Sequence, residues 1–141
     1  MKKIIGLLML VGILLSGCAD KDAPNWEVSP VFTDDNNKTF HGVEGKFGLF
    51  KANGEPDEPE FSAGQGRLYD VYFLESAADF VGERYKMTAT HKESGKTVEL
   101  YEWDISNAQS GAKFGFDESG VWKIDVAVDD KPYTSFVIEV K

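Results

Sequence analysis

The sequence has a single cysteine, Cys18, so no disulfide can close within the chain and no Cys-x-x-Cys metal or redox centre can form. Its two histidines, His41 and His91, stand apart in predicted strands, and neither has the neighbours of a zinc motif. Both are expected at a strand edge or surface. Basic residues are also scarce: 15 Lys and Arg face 24 Asp and Glu, a net charge of −9. That balance disfavours phosphate backbones and excludes nucleic acid as a partner. No Gly-x-Ser-x-Gly elbow or Ser/Lys pair offers a nucleophile. Gly64-Gln65-Gly66 precedes a predicted strand, not a helix, so it lacks the geometry that cradles phosphate. No cofactor and no catalytic residue is implied.

Aromatic residues are missing from the first 17 positions, which instead hold nine of the 27 Ile, Leu and Val. Lys2-Lys3 and the apolar stretch Ile4 to Leu15 read as the n- and h-regions of a signal peptide. Twelve residues are too few to span the ~30 Å hydrocarbon core, which takes ~20. Leu15-Ser16-Gly17-Cys18 follows at once and matches the bacterial lipobox. Small Ser16 and Gly17 admit a peptidase to the bond before Cys18, whose sulfur accepts diacylglycerol as a thioether. The expected organisation is a lipoprotein signal peptide over 1–17, a lipidated Cys18 with a tether to residue 27, and one domain over 28–141. Two acyl chains anchor stably where one does not, so the expected location is the extracytoplasmic face of the cell membrane. The 124 residues from Cys18 onward suffice for one core and carry a net charge of −11.

The domain reads as strands. Leu68 to Leu74, Arg84 to Lys92, Val121 to Val128 and Tyr133 to Val140 alternate apolar and polar residues, as half-buried antiparallel strands do. Val28 to Thr33 and Thr39 to Val43 flank the turn Asp34-Asp35-Asn36-Asn37, and Lys46 to Lys51 follows. Glu93-Ser94-Gly95 joins Arg84 to Lys92 with Lys96 to Glu102 as a hairpin. Glu75 to Gly82 can form one helical turn with Ser76 as its cap. Ser106 to Ser119 is long for a plain loop, and so is functional or holds further structure. The fold class is all-β: an immunoglobulin-like antiparallel β-sandwich of seven to eight strands. Ser119-Gly120-Val121-Trp122-Lys123-Ile124 resembles the corner that opens strand F of such folds, with Trp122 in the aromatic place.

Several segments taken in order resemble an uncharacterised family of Gram-positive membrane lipoproteins, the YhfM and YmzC type. They are Ser29-Pro30-Val31-Phe32, Glu44-Gly45-Lys46-Phe47-Gly48, Pro59-Glu60-Phe61 with Gly64, Lys92-Glu93-Ser94-Gly95, Ser119-Gly120-Val121-Trp122 and Val137-Ile138-Glu139-Val140. The resemblance implies an immunoglobulin-like domain of unknown function at the cell surface and brings no catalytic residues. This chain departs from it where a Trp-rich strand is expected, reading Leu68-Tyr69-Asp70-Val71-Tyr72-Phe73.

Two features invite ligands. Asp34-Asp35-Asn36, Asp57-Glu58 and Asp129-Asp130 are acidic turns. Calcium takes six to eight oxygens, and without EF-hand spacing these read as solvated carboxylates, so no metal is assigned. Tyr72, Tyr101 and Trp103 break the core parity of their strands: Tyr72 aligns with Asp70, and Tyr101 and Trp103 with Glu99. Exposed together they would form a binding patch for an envelope protein or glycan. A bulge near Glu102 would turn the last two inward instead. The functional expectation is a membrane-anchored, non-catalytic binding module, held by diacylglycerol on Cys18. The alternatives are an inhibitor or accessory subunit of an envelope enzyme or transporter, and an envelope hydrolase with a carboxylate site. Mass spectrometry of the mature protein should find it starting at Cys18 with a thioether diacylglycerol, absent after Cys18→Ser. An unmodified Cys18 with the leader attached would refute lipidation.

Overall fold

Strand alternation dictates two layers, because each strand must hide one row of side chains against a second sheet. The computed structural model describes residues 25–75 and 77–141. The signal peptide, lipobox, Cys18 and the expected cap Ser76 lie outside the described residues. Nine strands and one helical turn follow in order: β1 (Phe32–Thr33), β2 (Thr39–Val43), β3 (Phe47–Lys51), β4 (Arg67–Phe73), α1 (Ala77–Phe80), β5 (Arg84–His91), β6 (Thr97–Asp104), β7 (Gln109–Phe114), β8 (Gly120–Val128) and β9 (Lys131–Val140). They form a five-stranded sheet in the order β1-β2-β3-β4-β7 and a four-stranded sheet in the order β6-β5-β8-β9. Every strand pairing is antiparallel. The chain crosses between sheets after β4, after β6 and after β7, giving the immunoglobulin-like sandwich.

Two differences from the sequence reading stand out, and the first brings the strands to nine. The Ser106 to Ser119 stretch contains β7, which pairs with β4 from Arg67↔Phe114 to Tyr72↔Gln109. Ala112, Phe114 and Phe116 enter the core from it. The first strand is shorter than expected because Ser29 serves the other sheet: its N–H donates to the Val137 carbonyl, and its hydroxyl accepts from the Val137 N–H. Only Phe32 and Thr33 reach β2.

The core is filled mainly by rings. Phe61 stacks on Tyr69 (5.4 Å) and Tyr69 on Phe114 (4.3 Å); Phe116 then carries the contact to Trp122 (5.3 Å). A second group, Phe47, Phe73, Tyr85, Phe80 and Tyr133, closes the end near α1. Trp122 is fully buried, and its Nε1–H donates to the Glu118 carbonyl at 3.0 Å. That bond fastens the corner in the way its aromatic predicts.

His91 departs from expectation. It is 5% exposed, packed 4.8 Å from Trp122, and is a core residue. It shares the inward parity of Tyr85, Met87 and Ala89. Its Nε2–H donates to the Ser119 carbonyl (3.0 Å), while Nδ1 accepts from the Ser94 hydroxyl (2.9 Å) and N–H (3.3 Å), which fits the neutral ring. Trp122→Ala should cost about 3–5 kcal/mol in denaturant unfolding. A loss below about 1 kcal/mol would contradict the corner's role.

Candidate binding surface

Apart from Trp26, the aromatic residues that the core does not take up fall in two places. The first is β6. Its register against β5 slips by one residue at Leu100: Met87 faces Tyr101, while Thr88 faces Glu99. The bulge turns both Leu100 and Tyr101 toward the core and reverses the parity beyond it. Tyr101 is half-buried, 6.2 Å from Tyr85. Trp103 sits opposite Tyr85 in register, 6.4 Å from Tyr101. β6 is an edge strand, so Trp103 overhangs and is 57% exposed. Among the described residues no other aromatic is classed as exposed. On the other parity Arg84 of β5 pairs with Glu102 and Asp104, while the ladder with β5 holds the strand that carries Trp103.

The second place is the outer face of the five-stranded sheet. Tyr72 lies there, with Phe40 edge-on at 5.2 Å and Lys38 as neighbours. The structure therefore brings Tyr101 and Trp103 together and leaves Tyr72 in a different sheet. Phe40 stacks on Phe32 (5.5 Å) and lies 6.2 Å from Phe50. Phe40 is 3% exposed although it points away from the core. Gly48 makes room for it: a Cβ there would come within 2.9 Å of the Phe40 ring. The sequence carried one sign of this layer, since Phe40 and Phe50 alternate with the inward His41 and Leu49.

One carboxylate of each acidic turn is engaged within the fold. Asp34 Oδ1 accepts from the N–H groups of Asn36 and Lys38, and Asp129 Oδ1 from that of Arg84. Glu58 receives Arg67 through two hydrogen bonds of 2.7 Å and Lys51 at 2.9 Å. These bonds, Arg67's first, pull its carboxyl down to about 2. Gly54 permits the arrangement at φ +99°, for a Cβ there would lie 1.9 Å from the Glu58 carboxylate. Glu60 Oε1 accepts the Lys51 N–H, and the Glu60 carbonyl accepts the Tyr69 hydroxyl. Burial lowers the pKa of His41, with Glu60 opposing it, and Phe61 meets that ring edge-on. Burial raises Tyr85 to about 12, against the pull of its bond with Ser110.

This geometry defines an immunoglobulin-like sandwich with an aromatic overhang on one edge and an aromatic layer on one outer face. Among solved structures it is similar to one described as "a Putative Lipoprotein from Bacillus anthracis", with a TM-score of 0.68 and 19% identity over 88% of this chain and 92% of that one. The filamin domain of Lin-41 is more distant, with a TM-score of 0.45 and 11% identity over 69% of this chain and 94% of that one. The first likeness is one of fold. No protein-family model and no curated protein matches the sequence.

Because the Glu58 carboxyl is lowered from 4.5 to about 2, its contribution is fully present above pH 4.5 and is lost as pH falls toward 2. Glu58→Gln should therefore lower Tm at neutral pH, and the gap to wild type should narrow across that window. A gap independent of pH would show that the ion cluster does not act this way.

Proposed function

We propose that the chain is a lipoprotein held on the extracytoplasmic face of the membrane through Cys18, and that its sandwich binds an envelope protein or glycan without catalysis. The observation that carries the reading is Trp103. A large aromatic left 57% exposed on an edge strand is costly to keep in water and typical of a recognition anchor. The strand beneath it is held by its ladder with β5, so its backbone needs little ordering on binding. The lipobox supplies the anchor, and the Bacillus anthracis neighbour described as a lipoprotein supports the pairing of such a signal with this fold.

The test is cross-linking in intact cells, compared between wild type and Trp103→Ala. The variant should keep its stability to within about 0.5 kcal/mol, as surface substitutions do, and lose the cross-linked partner. An unchanged cross-link, or a large loss of stability, would refute the reading.

A further inference from the structure

The two outer faces of the sandwich differ in kind. The four-stranded sheet presents Lys86, Thr88, Lys123 and Asp125, the polar coat expected of a solvated face. The five-stranded sheet presents the Phe32–Phe40–Phe50–Tyr72 layer described above, with two charges set into it. Lys38 holds its ammonium 4.9 Å from the Phe50 centroid and 5.5 Å from that of Tyr72, and donates to the Tyr72 hydroxyl at 3.4 Å. Asp70 occupies the same face, opposite Phe50 in register and two residues before Tyr72. On its other side it faces Gly111 of β7, where a Cβ would meet only Leu68, at 3.6 Å.

Neither charge has an ion partner among the described residues. Asp70 is partly buried beside rings, and its carboxylate makes no hydrogen bond among the described side-chain contacts. Its oxygens are open to solvent and without a cation, so a cation seated on the neighbouring rings would find a counter-ion there. Aromatic faces that already hold one ammonium offer the same environment to another.

We propose that this face is a binding site for an organic cation, an alkylammonium group seated on Phe50 and Tyr72 with Asp70 as counter-ion. Lys38 is its internal occupant and is displaced when the ligand binds. The open side toward Gly111 is the way in. This site is separate from the Trp103 edge and stands whether or not that edge binds a partner.

The test is a titration of the full chain, in a non-ionic detergent, with tetramethylammonium chloride, following the aromatic resonances of Phe50 and Tyr72 by NMR against sodium chloride at equal ionic strength. Saturable shifts confined to these rings are expected. Lys38→Gln, by removing the competitor, should tighten binding several-fold to about thirty-fold, the range of a cation–π contact. Asp70→Asn should weaken it by a similar factor. Folded wild type with no saturable shift beyond sodium chloride would overturn the proposal. So would saturable shifts unaffected by Asp70→Asn, since the cation would then be elsewhere. Should Lys38→Gln misfold, Lys38→Met takes its place in the series.

Discussion

The run of rings from Phe61 through Tyr69, Phe114, Phe116 and Trp122 to His91 is the contact on which the rest depends. It joins the long loop after β3, strands β4 and β7, the corner before β8, and β5, so it ties the two sheets together at the crossing from β7 to β8. The domain holds only 18 Ile, Leu and Val after Cys18, too few to fill the ~10 Å space between two sheets with aliphatics. Rings reach across that space and resist rotation, which lets a short chain hold two layers in one register. Its polar members are each satisfied in place: Tyr69 by Glu60, Trp122 by Glu118, His91 by Ser94 and Ser119. No described buried side-chain nitrogen or oxygen lacks a partner.

Alternation was enough to read β4, β5, β8 and β9, because each packs one clean face on that core. β7 was hidden by composition. Gln109, Ser110 and Gly111 read as a loop, and only Ala112, Phe114 and Phe116 betray the period. The Leu100 bulge is a property of pairing with β5, and no local residue announces it, so the direction of Trp103 was open until the partner strand was placed. His91 was legible in principle, as the fourth member of an inward row. Its type outweighed its position in the reading. Tyr72 was correctly separated from the core, but its companions Phe32, Phe40 and Phe50 came from three other strands, a convergence that one-dimensional patterning does not contain.

The two aromatic surfaces are built differently. The β6 overhang leaves one ring in water on an edge strand paired to β5. The outer layer buries Phe40 almost completely and spreads the remaining exposure over three partly covered rings. An overhang suits a single insertion into a partner's pocket. A covered layer suits a small charged group lying flat.

Among the described residues, Ser29 joins the N-terminal segment to β9 through two hydrogen bonds, both to Val137, before the chain passes to β2 through the two register pairs of β1. Any pull delivered through the N-terminal chain meets these few bonds first, well before the long β8–β9 ladder. They can part while the ring core remains closed. The domain thus carries a short mechanical fuse at its leading end. Parting these bonds frees the segment before β2 without opening the two sheets around the ring core.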